Sequence, residues 1–129
     1  MHKFPIANYK RFAELPLDEL DSQKFAIYFV DTEWNYLFAN KLGCENLSES
    51  LDNLIGRSMF SGIDVDLQYK LFLEKIERGT SSTIITISPT TMKRVSVIGY
   101  PLQDCYYFAV TILPDKESLL DELRSELRK

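Results

Sequence analysis

The fold is decided by one stretch near the N-terminus, Phe25-Ala26-Ile27-Tyr28-Phe29-Val30, then Asp31-Thr32-Glu33-Trp34-Asn35, then Tyr36-Leu37-Phe38-Ala39. The first run is apolar and rich in β-forming residues, the second has the polar residues of a turn, and the third is apolar again. Two such runs joined by a short polar turn are typical of a β-hairpin. The stretch therefore predicts an antiparallel sheet that begins at residue 25, before any long helix.

The segment before this hairpin, residues 1–24, predicts a cap and not a strand. Most of it is polar, and Leu15-Pro16 interrupts its helical pattern because proline disfavours helix in the residue before it. We expect the segment to form short helical pieces that pack on the outside of the domain.

Helices are predicted after the hairpin. Residues 40–63 have a short, broken helical pattern, and Asn40 can cap the first helix. A longer helix follows, with Asp64 or Asp66 as its N-cap and Gly79 as its C-terminal stop.

Three further strands are predicted in the second half of the chain: Thr83–Ser88, Arg94–Tyr100 and Tyr106–Leu113. Each is rich in β-branched or aromatic residues, and each can pair with its neighbour as an antiparallel hairpin. Residues 25–113 therefore predict an α+β domain, a five-stranded antiparallel sheet with short helices on one face.

The last segment, residues 114–129, predicts a separate amphipathic helix. Asp115 is a suitable N-cap, and leucines follow at the spacing of a coiled-coil stripe: Leu119, Leu120, Leu123 and Leu127. The stripe fits a helix that pairs with a second chain, and it fits equally a helix that folds back onto its own sheet.

Charge and composition exclude several classes of partner. The 129 residues carry a net charge of -4, and the 15 basic residues are scattered among 19 acidic ones. Nucleic-acid binding is disfavoured because it requires a basic stripe. The longest apolar run, at residues 25–30, is too short to span a membrane. Cys44 and Cys105 form no local pair, which favours reduced thiols and a cytoplasmic location.

In its motifs and their order the sequence resembles the PAS family. Tyr28-Phe29-Val30-Asp31 and Tyr36-Leu37-Phe38-Ala39-Asn40 are similar to the family's opening strands, and Leu54-Ile55-Gly56-Arg57-Ser58 to its Ile-Gly-Arg corner. Tyr100-Pro101-Leu102 and Phe108-Ala109-Val110-Thr111 match the spacing of its closing strands. The resemblance covers residues 25–113 and rests on the order of the motifs, since no single one is specific.

The resemblance implies a pocket between a concave sheet and the helices, where some members hold haem, flavin or small metabolites. The family's inward-facing register, carried onto this chain, gives the candidate pocket residues: Tyr28, Val30, Met59, Val95, Val97, Tyr107 and Thr111. The same residues can instead fill the core, and we expect a filled or nearly filled core. The resemblance also implies that flanking helices transmit a signal, usually through dimerisation.

Two cofactors of the family are disfavoured, and the cofactor is therefore unknown. Histidine-ligated haem needs an axial donor from the longer helix, whereas the sole histidine is His2. Cysteinyl-flavin photochemistry needs a reactive cysteine where the resemblance places Met59, and a thioether cannot form that adduct. No metal site is predicted, because the sequence has neither a second histidine nor grouped cysteines.

The function predicted from the sequence is signalling and not catalysis. The chain has no Ser-His-Asp set and no glycine-rich phosphate-binding motif. We expect a PAS-like sensory module that binds a small organic ligand or a protein partner, as a homodimer or with a partner signalling protein. The alternative is a small enzyme or ligand-binding protein with a cone-shaped α+β fold of the ketosteroid-isomerase or nuclear-transport-factor type. Whether the chain is complete or the front of a longer signalling protein stays open.

Overall fold

The computed structural model describes residues 4–61, 65–88 and 92–114. Its strands are β1 (Ala26–Asp31), β2 (Tyr36–Ala39), β3 (Ser82–Ile87), β4 (Arg94–Pro101) and β5 (Cys105–Ile112). Its α-helices are α1 (Lys41–Leu47), α2 (Leu51–Leu54) and α3 (Leu67–Glu77). The predicted C-terminal helix and its leucines Leu119, Leu120, Leu123 and Leu127 lie outside the described residues.

The strands form one antiparallel sheet in the order β2-β1-β5-β4-β3. The predicted hairpin is confirmed, since β1 pairs with β2, and a register irregularity lies between Phe29 and Val30. The other edge of β1 pairs with β5 over its whole length. Strands from before and after the helices therefore meet at the centre of the sheet, and the predicted α+β sheet is confirmed.

The sheet buries side chains on both of its faces. The inner face carries Tyr28, Val30, Val95, Val97 and Phe108, which pack with the helices in one cluster of buried residues. The outer face is formed by the alternate positions, among them Ile27, Phe29 and Tyr107, and these belong to a second cluster. Because neighbouring residues of a strand point to opposite faces, β1, β2, β4 and β5 each contribute to both clusters, whereas β3 contributes only Ile84, to the inner one.

The N-terminal segment, from Phe4 onward, covers part of the outer face. It contains three short 3₁₀ helices, Ile6–Asn8, Phe12–Glu14 and Leu17–Ser22. Leu20 is fully buried, and the ring of Phe12 meets that of Phe29 edge-on at a centroid distance of 5.8 Å. The segment is thus an integral part of the outer core.

The predicted helix ends are also confirmed. The side chain of Asn40 accepts a hydrogen bond from the Gly43 amide at the start of α1. The carboxylate of Asp66 accepts one from the Tyr69 amide at the start of α3. Gly79, at φ +90°, follows α3 in the left-handed conformation that glycine adopts without strain.

Helix α3 approaches the sheet closely at Gly99 of β4. A Cβ atom at this position would lie 2.7 Å from Ile76 Cδ1 and 3.0 Å from Phe72 Cζ. Glycine therefore leaves the space that these two buried side chains of α3 occupy. This contact fixes one end of α3 on the inner face and positions the helix that bounds the cavity.

Candidate functional site

A cavity of about 190 Å³ lies between the inner face of the sheet and the helices. Its floor is the inner face itself: Val30 of β1, Val95 and Val97 of β4, and Phe108 and Val110 of β5. The expectation of a filled core is therefore wrong. Most of the floor side chains are valines, and these small side chains leave part of the space above them unfilled.

The walls come from the rest of the sheet and from the helices and the segments between them. Tyr28 and Tyr36 line one side from β1 and β2, and Thr86, Ile87 and Ser88 line another from the end of β3. The remaining described lining residues belong to the helices and the segments between them: Asn46, Leu47, Met59, Phe60, Val65, Asp66 and Tyr69.

Five of the seven predicted pocket residues lie together around this cavity: Tyr28, Val30, Met59, Val95 and Val97. The register of the strands explains the agreement for β1 and β4, because their inner positions alternate with buried outer ones. That these five contact a ligand stays a prediction.

Tyr107 and Thr111 do not reach the cavity, and their placement in it is a correction. Tyr107 lies opposite Phe29 on the outer face, where its ring meets that of Phe4 at 6.1 Å. Thr111 lies opposite Ser96 and is exposed. Strand β5 is buried on both faces over most of its length, so the sequence does not show which of its residues face inward. An error of one residue assigns every side chain of the strand to the wrong face.

Sequence reasoning missed several lining residues, above all Tyr36, Tyr69 and Phe108. Phe108 follows from pairing, because it lies opposite Tyr28. Tyr69 is recoverable from helical spacing, since it lies three residues before the buried Phe72 and so on the same side of α3. The sequence carries no comparable signal for Tyr36, whose inward orientation depends on the register of β2.

The phenol groups of the cavity are neutral at physiological pH. The Tyr28 hydroxyl donates a hydrogen bond of 3.1 Å to the Gly43 carbonyl, and burial raises the pKa of Tyr28. Burial likewise raises the pKa of Tyr36 to about 12, against a smaller lowering by Arg57. For Tyr69, burial and then the neighbouring Tyr36 raise the pKa to about 12. The cavity thus disfavours negative charge.

Asp66 is the one charged side chain among the described lining residues. Its carboxylate is engaged as the cap of α3, at 2.8 Å from the Tyr69 amide nitrogen. No lysine or arginine belongs to that described lining. The two stretches between the described ranges, Gly62-Ile63-Asp64 and Pro89-Thr90-Thr91, contain neither lysine nor arginine in the sequence.

A buried amide, Asn40, connects the cavity wall with the N-terminal segment. Its Oδ1 accepts hydrogen bonds from the amides of Ile27 at 3.0 Å and Gly43 at 2.9 Å. Its Nδ2 donates to the carbonyls of Leu20 at 2.9 Å and Phe25 at 3.0 Å. The Gly43 carbonyl also accepts a hydrogen bond from the Tyr28 hydroxyl, so one hydrogen-bond network runs from the cavity to Leu20.

Neither thiol in the described part of the chain is activated. Cys44 is half-buried and Cys105 is buried. Burial, then Asp21 and Glu45, raise the pKa of Cys44, and burial, then Asp104, raises that of Cys105 to about 12. Within the described ranges, no three histidine, cysteine or acidic side chains come together as a metal site. None of the helices described is long and apolar enough to cross a bilayer.

No protein-family model matches the sequence, and no curated protein matches it significantly. Solved structures do match. The photoactive yellow protein domain of the sensor histidine kinase Ppr from Rhodospirillum centenum gives a TM-score of 0.63 at 16% identity, over 77% of this chain and 94% of that one. The PAS domain of nitrogen regulation protein NR(II) from Vibrio parahaemolyticus gives 0.59 at 17% identity, over 77% and 98%.

A third match is the PAS domain of the Cronobacter turicensis quorum-sensing receptor RpfR in complex with BDSF. Its TM-score is 0.59 at 12% identity, over 71% of this chain and 96% of that one. Together with the strand order, these similarities show that the chain is a PAS-fold domain. The cone-shaped α+β fold considered from the sequence is therefore not its architecture.

Proposed function

We propose that this chain is a sensory module that binds a small organic molecule in the inner-face cavity. The observation that carries the proposal is the cavity itself, about 190 Å³ in volume and mostly apolar, with a few polar groups. Small-molecule sites in proteins have this character. The RpfR domain in complex with BDSF, which is similar in fold, supports the same use of the fold.

Binding is favoured over catalysis by the chemistry of the lining. The described lining contains no histidine, cysteine or lysine, and its one carboxylate, that of Asp66, is engaged as a helix cap. General acid–base catalysis requires a titratable group that is positioned against a substrate and tuned to the working pH. The proposed role is therefore non-enzymatic.

The signal is proposed to leave the domain through its flanking segments. The network from Tyr28 through Gly43 and Asn40 to Leu20 links the cavity with the N-terminal segment. The leucine stripe Leu119, Leu120, Leu123 and Leu127 favours a homodimer or a partner signalling protein, and the two free cysteines favour a cytoplasmic location. Light scattering of a variant without residues 115–129 tests the stripe, since an unchanged dimer would exclude it from the interface.

Ligand binding in the cavity is tested by a ligand-observed NMR screen of a fragment library. Three proteins are compared: the wild type, Val97→Phe and Ile98→Phe. Val97 is buried on the inner face and lines the cavity, whereas the neighbouring Ile98 lies on the outer face. Both changes enlarge an aliphatic residue on β4, so they form a matched pair.

We expect the screen to find fragments that bind the wild type and the Ile98→Phe variant but do not bind the Val97→Phe variant. A folded Val97→Phe variant, verified by circular dichroism, is required for this comparison. If no fragment distinguishes the two variants, the cavity is not a binding site and the proposal is wrong.

A further inference from the structure

The volume of the cavity limits the size of its occupant. Its value of about 190 Å³ is somewhat larger than that of an engineered cavity of about 150 Å³ that stays dry and binds benzene. A single substituted ring or two small fused rings fit a space of this size. Because the cavity is partly open to solvent, long chains and large cofactors would have to extend out of it.

The lining favours a flat aromatic occupant. Five of the described lining residues are aromatic: Tyr28, Tyr36, Phe60, Tyr69 and Phe108. The rings of Tyr28 and Tyr36 are tilted by 50° at a centroid distance of 6.0 Å, which is a favourable geometry for aromatic pairs. A further ring placed among them can adopt the same contacts, and it loses less conformational freedom on binding than a flexible chain does.

The electrostatics of the cavity oppose an anion. Asp66 places an exposed carboxylate at the lining, and none of the described lining residues is a cation; the guanidinium of Arg57, which acts on Tyr36, is paired with Glu49. A bound carboxylate or phosphate would lose its hydration without a counter-charge, which is costly. The raised pKa of Tyr36 and Tyr69 has the same physical origin, since burial disfavours their anionic forms.

Hydrogen-bonding groups are present for an uncharged polar substituent. Tyr36, Tyr69, Asn46 and Thr86 belong to the lining and carry phenol, amide and hydroxyl groups, and the side chain of Asn46 also hydrogen-bonds to Tyr28. Phenols and amides both donate and accept hydrogen bonds. An amide or hydroxyl group on a ligand is thus complementary to this part of the wall.

We propose that the cavity selects an uncharged aromatic molecule of one or two rings with a hydrogen-bonding substituent, and that it discriminates against carboxylates of the same shape. This inference rests on the proposed function and specifies the class of ligand for the same site.

The class is tested with three probes of similar size: benzamide, benzoate and hexanamide. Their dissociation constants are measured by NMR titration of the wild type at neutral pH. We expect benzamide to bind at least about tenfold more tightly than benzoate, because only the anion is desolvated without a partner. Benzamide should also bind more tightly than hexanamide. Val97→Phe should abolish benzamide binding, and Ile98→Phe should preserve it.

A variant of Asp66 separates charge from shape. Asp66→Asn retains a side chain that caps helices as well as aspartate does, and it removes the negative charge. The preference for benzamide over benzoate should fall by about twofold to threefold in this variant, since the repulsion of the anion is relieved and water screens an exposed carboxylate. An unchanged preference would contradict the electrostatic part of the inference.

The remaining outcomes are distinguishable. Benzoate binding as tightly as benzamide would overturn the selection against anions, and tighter binding of hexanamide would overturn the aromatic preference. If none of the probes binds while the library contains fragments sensitive to Val97→Phe, the inferred class is wrong and the proposed function stands. If no such fragments exist either, both fail.

Discussion

Asn40 makes most of the buried side-chain hydrogen bonds in the described part of the chain. It is 1% exposed, and its side chain makes four hydrogen bonds, to Ile27, Gly43, Leu20 and Phe25. No other side chain in the described ranges joins the sheet, helix α1 and the N-terminal segment in this way. The amide is suited to the task because it both donates and accepts.

Replacing Asn40 with alanine should destabilise the domain by about 3 kcal/mol or more, because a helix cap is lost and buried backbone groups are left without partners. Urea unfolding followed by circular dichroism measures the change. Asn53→Ala is the control, since Asn53 is exposed and its side chain makes one long contact of 3.5 Å with Glu49. Equal effects of the two substitutions would contradict the role assigned to Asn40.

Single residues also show where prediction from the sequence ends. Asn40 and Asp66 were predictable as caps because a cap depends on residue type and local spacing. The inward orientation of Tyr28, Val30, Val95 and Val97 was available from the family resemblance. Tyr107 and Thr111 were assigned to the wrong face. Polar residues do not mark one face of β5, and only its pairing with β1 shows which of its side chains point inward.

At the scale of elements, the N-terminal segment contributes as much to the core as a helix would. Its side chains Phe4, Leu15 and Leu20 are buried against the outer face, beside Phe29 and others. The sequence predicted a cap there, because Leu15-Pro16 excludes a continuous helix. Short helical pieces were expected there, but their 3₁₀ geometry was not predicted, since the pattern of residues does not distinguish a 3₁₀ turn from an α-helical one.

Leu20→Ala should therefore lower the free energy of unfolding by about 2–5 kcal/mol, as expected for a leucine removed from a well-packed core. The side chain is fully buried, and the cavity left behind lies between the N-terminal segment and the sheet. Leu67→Ala, at a position that is 72% exposed, should change stability by less than about 0.5 kcal/mol. A small effect at Leu20 would show that the segment is only loosely attached.

For the whole molecule, buried phenols and thiols set a limit on stability at high pH. Burial raises the pKa of Tyr69 and of Cys105 to about 12. It also raises the pKa of Tyr36 to about 12, although the positive charge of Arg57 has a smaller, opposite effect. The ordinary values are about 10 for tyrosine and about 8.5 for cysteine. Between the ordinary and the raised pKa, the unfolded chain releases protons that the folded chain keeps, so unfolding becomes more favourable as pH rises.

Stability should accordingly be constant near neutral pH and fall as the pH increases from about 9 towards 12. Urea midpoints measured across this range, together with the tyrosinate absorbance, check the prediction. Tyr69→Phe should make the decline shallower. A midpoint that is constant throughout the range would mean that these groups are not buried as described.

The cavity is a property of the whole molecule, because strands from both halves of the chain form its floor. The five strands followed from the pattern of apolar runs, whereas the pairing of β1 with β5 and the cavity did not, since both depend on contacts between distant parts of the chain. The central claim is that this cavity, and no other surface, binds the ligand.

Methyl NMR of the wild type, titrated with a fragment that binds it, tests this claim most directly. The account predicts the largest shifts and intermolecular contacts at the inner-face methyl groups of Val30, Val95 and Val97. Perturbations concentrated instead at Ile85 and Ile98, on the outer face, would contradict it.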